Sequence, residues 1–309
     1  MDLSIAVVSW NTRDLLDGCL ESVFETTFGV EFEVIAVDNA SSDGSAEMVR
    51  EKYPQVRLIE NSDNVGFAAA NNQAYAASDS KFFLLLNPDT ILHEAALHKL
   101  LSSLDEYADC ALAAPQLVWG DGCVQESVGH FPSLASELFD ALYLTRVLRR
   151  RRASCLYVPQ ADGSRVIDWA CGACLLLRRD ALGNSRSVLD DRYFMFSEET
   201  DLCRTLRSRG WGIRYEPSAV VTHLGSGSTS QVRREMFIWL YQSKFLYFRK
   251  HHGRVRADIY RLFILPAHVL VRLAGYLPGL LFRRSDYTRE HTHPASQIAL
   301  LMEAFRWGR

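Results

Sequence analysis

The sequence lacks the marks of a secreted, disulfide-stabilised or repetitive protein. Its 7 cysteines stand at irregular spacings among 309 residues, which does not indicate a disulfide framework. Cys171 and Cys174 form a CxxC pair, but no second pair follows at zinc-like spacing, so we expect both in an apolar strand. The opening residues, MDLSIAVVSW, lack a basic stretch and begin at once with a strand pattern. We therefore expect no signal peptide and a cytoplasmic protein.

A strong excess of charge is also lacking, since the net charge is −3. Hydrophobic residues make up 48% and charged residues 23%, as in ordinary globular proteins. The balance is uneven, because residues 226–309 hold 14 Lys and Arg against 5 Asp and Glu, a net +9, whereas the rest carries −12. The basic segment predicts an anionic surface or ligand near that end, and we expect no nucleic-acid partner.

The first half of the chain contains a regular alternation of strand and helix patterns. Such alternation predicts an α/β fold with a mostly parallel central sheet flanked by helices. We expect this domain to cover residues 1–230, and a helical, basic and apolar extension to cover residues 231–309. The predicted strands cover residues 4–10, 32–40, 56–61 and 81–87, and the predicted helices cover residues 12–25, 42–53 and 66–78.

The stretch LFILPAHVLVRLAGYLPGLLF in the extension is about long enough to span a bilayer. It also contains residues that are costly or disruptive at mid-membrane, namely Pro266, His268, Arg272 and Pro278. We therefore predict a helical pair that lies against the domain or along a membrane surface. Basic residues flank this stretch at Arg254, Arg256, Arg283 and Arg284.

Polar clusters follow four successive predicted strands. They comprise Ser9, Trp10 and Asn11, then Asp38 to Gly44, then Asn64, Gly66 and Asn71, and last Asn87, Pro88 and Asp89. Because ligands of such sheets bind beyond the carboxyl ends of the strands, we interpret these clusters as one pocket.

Three residues of these clusters suggest individual roles. Asp38 could accept a hydrogen bond from a ribose hydroxyl or from the imino group of a pyrimidine. Gly66 would allow a close backbone approach to a ligand. Asp89 could bind a divalent metal that bridges a diphosphate, or it could be a turn residue or the cap of a helix beginning near Ile91.

These motifs together resemble the family 2 glycosyltransferases, which have the GT-A fold, and within them a rhamnosyltransferase-like branch that builds bacterial surface polysaccharides. The resemblance covers about residues 3–230. Its motifs are VVSWNTRDLLDGCLESV, VIAVDNASSDGS, NVGFAAANN, LLLNPDT, DWACGACLLLRRDAL, FMFSEETDLCRTLRSRGW and EPSAVVTHLGSGST.

The resemblance implies a metal site and a catalytic base. Asn87-Pro88-Asp89 stands at the place of the family's DxD motif, which binds Mg²⁺ or Mn²⁺ and the donor diphosphate. Asn87 replaces the first Asp, so Asp89 would make most of the metal contact. His223 is either a metal or diphosphate partner or a structural residue. Glu199 stands where the family has its base Asp, and Glu198 is the alternative, although acids are also favoured at any helix N-terminus.

The implied reaction is an inverting transfer of a sugar, with L-rhamnose as one candidate, from a dTDP- or UDP-sugar to a glycan acceptor. The acceptor would be lipid-linked and the enzyme peripheral at the inner face of the cell membrane. Trp169 would line the sugar or acceptor pocket, or belong to the core. His130 stands where a basic residue is expected, and Arg149–Arg152 would meet an acceptor pyrophosphate or form a solvated charge run.

Two other functions compete with this interpretation. A nucleotide-sugar-binding module without catalysis would explain Asn87 and Glu199, which both depart from the family pattern. A nucleotidyltransferase would also use a parallel sheet and metal-binding acids. It should carry a glycine-rich loop after the first strand, however, and SWNTRDLL has no glycine.

Overall fold

The computed structural model of the protein describes residues 1–142, 144, 156–157, 165–225, 233–279, 294–304 and 306–307. The chain divides into two compact units. The first unit consists of Met1–Phe131, Leu156–Phe194 and Glu198–Ser228, and the second of Pro132–Cys155, Met195–Ser197 and Thr229–Arg309. The division into domains at residue 230 stays a prediction. The basic runs Arg149–Arg152 and Arg283–Arg284 lie outside the described residues.

Strands dominate the first unit. In chain order they are β1 (Leu3–Ser9), β2 (Phe32–Asp38), β3 (Arg57–Glu60), β4 (Phe82–Leu86), β5 (Thr90–Leu92), β6 (Cys110–Val118), β7 (Val128–Gly129), β8 (Leu156–Tyr157), β9 (Arg165–Val166), β10 (Trp169–Ala170), β11 (Cys174–Arg178) and β12 (Gly212–His223). Nine of them form one sheet in the order β3-β2-β1-β4-β11-β6-β12-β5, with β9 paired to β12. The short strands β10, β7 and β8 form a second sheet.

Six strands of the large sheet run in one direction. Strands β1 to β4 are mutually parallel neighbours, and β6 and β12 share their direction. Strands β5, β9 and β11 run in the opposite direction. The predicted α/β fold with a mostly parallel sheet is therefore confirmed, and the three reversed strands are an addition that the alternation did not predict.

Helices separate or follow these strands. They are α1 (Arg13–Thr26), α2 (Ser45–Lys52), α3 (Phe67–Ala76), α4 (Ala96–Glu106), α5 (Leu134–Ala141), α6 (Glu198–Ser208), α7 (Arg233–His252), α8 (Arg254–Ile259), α9 (Leu265–Gly279) and α10 (Pro294–Ala304). A π-helical turn at Tyr260–Ile264 connects α8 and α9. None of the helices in the described part of the chain has the length and apolar composition of a membrane span.

The large sheet is buried on both faces. Every residue of β1 is buried, and successive side chains alternate between two hydrophobic clusters. Ile5 and Val7 belong to the cluster that α1, α2 and α4 cover, whereas Ala6 and Val8 belong to the cluster that α3 and α6 cover. Burial on both faces explains why the strands of the sequence read as continuous apolar runs rather than as alternating ones.

Strand register brings the predicted polar clusters to one edge of the sheet. Ser9 at the end of β1 pairs with Asp38 at the end of β2. Val7 pairs with Leu86, which directly precedes Asn87. These residues therefore lie beyond neighbouring carboxyl ends, where ligands of doubly wound sheets bind.

One alternative interpretation of the sequence was wrong. A helix does not begin near Ile91, because Thr90–Leu92 form β5, whose backbone pairs with β12. Pairing with a distant strand outweighed the local capping signal of Asp89. A single 3₁₀ turn at Arg179–Leu182 follows β11, and Gly183 ends it with a positive φ of 61°.

Candidate active site

Asp38 at the end of β2 carries an unused hydrogen-bond acceptor. The side chain is 5% exposed. One oxygen, Oδ2, accepts a hydrogen bond from the backbone N–H of Ser41 at 2.9 Å. The other oxygen, Oδ1, is buried without a hydrogen-bond partner. Buried polar atoms normally have partners, so this oxygen is available to a donor group on a ligand.

Asn11 ties the loop after β1 to the loop after β2. Its backbone has a positive φ of 50°, which asparagine tolerates better than most residues. Its N–H donates to Oγ of Ser41 at 2.9 Å, and its Oδ1 accepts from the N–H of Ser42 at 2.7 Å. Ser9 Oγ lies 2.9 Å from Oγ1 of Thr12, and Trp10 is half-buried. Asn11 and Ser9 therefore use their polar atoms to hold these loops in place.

The cluster Asn64, Gly66 and Asn71 likewise shapes the loop before α3. Asn64 Oδ1 accepts from the N–H of Gly66, and Asn71 Nδ2 donates to the carbonyl of Phe67. Gly66 has a φ of 86°, and a Cβ there would lie 2.6 Å from the carbonyl oxygen of Phe194. The close approach that requires glycine is therefore to Phe194 of the same chain.

The turn Asn87-Pro88-Asp89 meets β12 at the metal site that the sequence predicts. Asp89 Oδ1 lies 3.4 Å from His223 Nε2, and the Asp89 side chain is 10% exposed. The carbonyl of Asp89 accepts from the N–H of Leu224 at 2.9 Å. The side-chain oxygen of Asn87 is buried without a partner. The turn and the end of β12 together place the carboxylate of Asp89, the imidazole of His223 and the amide oxygen of Asn87 at one edge of the sheet.

Gln125, which the motifs did not single out, fixes the orientation of the His223 ring. Its Nε2 donates to the carbonyl of His223 at 2.6 Å, so its Oε1 faces the ring at 3.0 Å from Nδ1. An oxygen there requires the proton of a neutral imidazole on Nδ1. The lone pair of Nε2 then points toward Asp89, as a metal ligand needs.

Asp89 and His223 suit a divalent metal that is completed by phosphate oxygens. Among the described residues no group of three His, Cys, Asp or Glu side chains could hold an ion. Mg²⁺ in phosphate-handling sites is held by one or two carboxylates together with substrate phosphates, and Mn²⁺ also accepts imidazole. The pair therefore fits a metal that binds together with a diphosphate.

Glu198 and Glu199 open α6 with perturbed acidity. Burial, and then the charge of Glu199, raises the pKa of Glu198 well above its ordinary value. Burial raises the pKa of Glu199 to about 7. Oε2 of Glu198 has no hydrogen-bond partner, whereas Oε1 of Glu199 accepts from Thr200 Oγ1 at 3.3 Å. Both carboxyl groups therefore hold their protons more strongly than an ordinary glutamate, and Glu199 exchanges a proton readily near neutral pH.

The residues before α6 hold an unusual backbone conformation. Phe196 and Ser197 have positive φ values of 70° and 63°, although neither is glycine. Such conformations are costly and cluster at active sites. In contrast, Asp201, the third acid of the motif, accepts a hydrogen bond from the buried hydroxyl of Tyr193 at 3.2 Å, which anchors the helix.

One short segment links Glu199 to the Asn87 turn. The carbonyl of Ala173 accepts from the N–H of Asn87 at 2.9 Å. A Cβ on Gly172 would lie 3.5 Å from Cβ of Glu199. Burial, followed by the charges of Glu199 and Asp89, raises the pKa of the Cys171 thiol to about 12. Residues 171–173 therefore lie beside the acid at the start of α6 and also hydrogen-bond to the turn before Asp89.

Trp169 and His130 lie next to each other. Trp169 is 8% exposed within a hydrophobic cluster, and its Nε1 donates to the carbonyl of His130 at 2.9 Å. His130 is exposed, and its Nδ1 lies 3.2 Å from Oδ2 of Asp168. Trp169 therefore lies in the core, which was the alternative to a place in the sugar or acceptor pocket.

Comparisons with known proteins identify relatives of this chain. The sequence profile described as Glycosyl transferase family 2 matches residues 4–134. The N-acetylglucosaminyl-diphospho-decaprenol L-rhamnosyltransferase of Mycobacterium tuberculosis is 28% identical over 239 residues, which cover 73% of this chain and 78% of that protein. The rhamnosyltransferase WbbL of Escherichia coli K12 is 24% identical over 257 residues, or 79% of this chain and 91% of that one.

A solved structure extends the likeness to the fold. The mannosyltransferase of Pyrobaculum calidifontis, in complex with GDP-Man and Mn²⁺, superposes with a TM-score of 0.61 at 16% identity. The match covers 99% of this chain and 87% of that one. At this identity the likeness concerns the fold alone.

Proposed function

Because residues 4–134 match the family 2 glycosyltransferases and rhamnosyltransferases are among the relatives of the chain, we propose that it belongs to this family. In this proposal it transfers a sugar from a nucleoside-diphosphate donor to a glycan hydroxyl with inversion of configuration. The observation that carries the proposal is the segment 171–173, which hydrogen-bonds to the Asn87-Pro88-Asp89 turn and lies beside Glu199. A phosphate-binding group and a group able to take up a proton are therefore neighbours, as a displacement at an anomeric carbon requires.

In this proposal the nucleoside binds at the end of β2. Oδ1 of Asp38 accepts a hydrogen bond from the ribose hydroxyl or from the imino group of a pyrimidine, and its lack of an internal partner supports the role. Asn11 and Ser41 keep the two flanking loops together, so the carboxylate is held before the donor arrives. Orientation that is fixed in advance reduces the entropy lost on binding.

Asp89 and His223 would hold a divalent metal, Mg²⁺ or Mn²⁺, together with the donor diphosphate. Such an ion supplies positive charge that stabilises the departing diphosphate. Gln125 orients His223 for this task, and Asn87 offers an amide oxygen that has no partner within the protein. Asn87 is a weaker ligand than the aspartate of the family motif, so Asp89 carries the charge of the site.

Glu199 is the proposed catalytic base. Its pKa of about 7 leaves a substantial fraction ionised at neutral pH and lets it accept the proton of the attacking hydroxyl. Burial and the neighbouring charge of Glu199 disfavour ionisation of Glu198, which makes it the weaker candidate. With this one base, the acceptor hydroxyl attacks the anomeric carbon from the face opposite to the diphosphate in a single displacement. Such a displacement inverts the configuration.

The names of the relatives suggest the substrates. Two of them are rhamnosyltransferases, which favours L-rhamnose carried on dTDP or UDP as donor. The name of the mycobacterial protein includes a lipid-linked acceptor, so we propose a polyprenyl-diphosphate glycan as acceptor, in bacterial surface polysaccharide synthesis.

An exposed apolar face of the second unit supports a peripheral membrane contact. Val255, Phe263 and Leu270 are 74%, 68% and 64% exposed. Their spacing of seven to eight residues places them on one side of the continuous helical run of α8, the π turn and α9. Arg254 and Arg256 stand beside them and are exposed. Apolar side chains bordered by arginines suit the headgroup region of an anionic inner leaflet.

The deciding experiment is a transfer assay with Mn²⁺ or Mg²⁺, a panel of dTDP- and UDP-sugars, and a lipid-linked glycan acceptor. We expect transfer that requires the metal and that Glu199→Gln abolishes while donor binding persists. A binding module without catalysis would instead bind the donor and transfer nothing in the wild-type protein. Full activity of Glu199→Gln would exclude Glu199 as the base.

A further inference from the structure

Helices of the second unit line a partly open cavity of about 160 Å³ that the proposed reaction does not use. Residues of α5, α7, the π turn and α9 line it. Its polar lining includes Glu137, Tyr241, Lys244, Tyr260 and His268. The cavity thus collects several groups that can donate or accept hydrogen bonds, and this is the composition of a binding site rather than of a packing defect.

Tyr260 leaves a hydrogen bond unmade in this cavity. The residue is 1% exposed, and its hydroxyl has no hydrogen-bond partner. Burial, and then the charge of Glu137, raises the pKa of Tyr260 well above its ordinary value, so the hydroxyl keeps its proton as a donor. Tyr260 also begins the π-helical turn, a rare conformation that occurs often at functional sites.

The other polar groups are held rigidly. Lys244 Nζ donates to both oxygens of the buried Glu137, at 2.8 and 3.1 Å. His268 Nε2 lies 2.6 Å from the Tyr241 hydroxyl and accepts from Arg272 Nε at 3.0 Å. Burial, followed by the charges of Arg272 and Lys244, lowers the pKa of His268 to about 3, so the ring stays neutral. The walls are therefore organised before any ligand enters.

The charges of the lining select the chemistry of the ligand. Lys244 and Arg272 are balanced by Glu137 and Asp140, so neither an anion nor a cation gains net attraction. A neutral ligand with many hydroxyl groups can instead use donors and acceptors together. Apolar atoms of Ala141, Ile264 and Leu265 complete the lining and suit the C–H face of a sugar ring.

We propose that this cavity binds one neutral pyranose ring, with the Tyr260 hydroxyl donating to a ligand oxygen. The site consists of residues other than those of the proposed reaction, and its ligand does not have to be the donor. The ring is either a free sugar or a unit of a glycan acceptor. In the second case the cavity would add affinity for glycans of several units.

Ligand-observed NMR with methyl glycosides of N-acetylglucosamine, L-rhamnose and glucose tests the proposal on the full chain. We expect at least one to bind the wild-type protein, with a dissociation constant of about 1 mM. Tyr260→Phe keeps the ring and removes the hydroxyl, so affinity should fall about five- to tenfold. Tyr247→Phe, which alters a buried tyrosine outside the cavity, should leave binding unchanged.

A second variant and a second ligand class complete the test. Ala141→Leu fills the cavity and should abolish glycoside binding while the thermal midpoint stays close to the wild-type value. Glycan oligomers that bind more tightly than the matching methyl glycoside would identify an acceptor as the source of the ring. Asp38→Asn should leave glycoside binding intact, which separates this site from the donor site.

Three results would overturn the proposal. They are the failure of every glycoside to bind the wild-type protein, equal binding by Tyr260→Phe, and displacement of the glycoside by inorganic phosphate. The last result would identify an anion site, and the first would mean that water alone fills the cavity. None of these outcomes depends on whether sugar transfer is observed.

Discussion

Nε2 of His223 lies 3.4 Å from Oδ1 of Asp89, and strand pairing keeps the two residues together. His223 in β12 is in register with Thr90 in β5, the residue that follows Asp89. The carboxylate and the imidazole are 134 positions apart in the sequence. Only the antiparallel pairing of β5 with β12 brings them to one place, and the first prediction rests on this pair.

We expect His223→Ala to weaken Mn²⁺ binding in the presence of donor nucleotide. Gln125→Met should weaken it about tenfold, because loss of a hydrogen-bond partner leaves the metal ligand without a fixed orientation. Titration of Mn²⁺, followed by electron paramagnetic resonance of the free ion, measures both effects. His93→Ala serves as control, because it removes an imidazole that contacts Thr222, the residue before His223 in β12. Unchanged Mn²⁺ affinity in His223→Ala would show that His223 is not a metal ligand.

The raised pKa of Glu199 predicts opposite effects of Glu199→Gln on activity and on stability. The folded-state pKa of about 7 exceeds the ordinary value of 4.5, so the protonated carboxyl stabilises the fold below pH 4.5. This contribution is lost as the pH rises through 7. Glu199→Gln should therefore raise the free energy of unfolding by about 1–3 kcal/mol more at about pH 8 than at about pH 4.

The activity of the wild-type protein should follow the same ionisation. A base must be ionised, so kcat/KM should rise with pH and level off above about 7. Transfer assays at a series of pH values around 7 measure kcat/KM. Urea unfolding at about pH 4 and about pH 8 measures the change in stability. Glu126→Gln changes an exposed glutamate and should alter neither of them. A Glu199→Gln variant that is less stable at high pH would contradict the assignment of the raised pKa.

Asp38→Asn should weaken donor binding with little effect on the fold. The unpartnered Oδ1 would lose its charge, and hydrogen bonds to charged groups contribute about 1.5–3 kcal/mol, which corresponds to roughly a 10- to 100-fold change in affinity. Calorimetric titration with UDP and dTDP measures the change directly. Asp63→Asn, an exposed residue in the loop after β3, is the matched control. Equal nucleotide affinity in wild type and Asp38→Asn would place the nucleoside elsewhere.

Gly66→Ala should destabilise the protein for two reasons. The added methyl group would clash with Phe194, and alanine disfavours the positive φ of this position. The added Cβ would meet the Phe194 carbonyl at 2.6 Å. Gly122 has a similar φ of 83° but no atom within 4 Å of an added Cβ. Gly122→Ala thus measures the conformational cost alone, about 1–3 kcal/mol. Thermal unfolding should show a clearly lower midpoint for Gly66→Ala, and equal midpoints would mean that Phe194 can move aside.

Replacement of the exposed apolar residues should release the protein from membranes. Burying a phenylalanine side chain contributes about 1.5–3 kcal/mol, so Phe263→Asp should lower vesicle binding several-fold. Flotation with vesicles that contain anionic phospholipid measures the effect, and salt should weaken the remaining binding. Val166→Asp alters an apolar residue of the first unit that is 50% exposed and serves as control. Equal flotation of Phe263→Asp would exclude this face.

Periodicity and motif order predicted much of the first unit. The four strands and three helices up to Leu86 lie where the apolar patterns place them, and the resemblance to a family 2, rhamnosyltransferase-like glycosyltransferase is confirmed. Local patterns succeed there because each βαβ unit is built from neighbouring segments. The roles of the site residues stay predictions.

Other features could not be read from the sequence because they depend on distant segments. The short strand β5 follows a turn that looks like a helix cap, and only its pairing with β12 makes it a strand. Gln125 stands in no motif, yet it orients His223 across 98 positions of the chain. Gly66 was predicted to allow a close approach to a ligand, which stays a prediction, and the neighbour that the sequence did not indicate is Phe194.

The position of β11 has a consequence for the order in which the chain can fold during its synthesis. This strand is inserted between β4 and β6, although it follows both in the sequence. Until Cys174–Arg178 have been made, the facing edges of β4 and β6 have no strand to bridge them, and open edges of this kind promote aggregation. A fragment that stops at residue 134 would therefore be an aggregation-prone half-sheet.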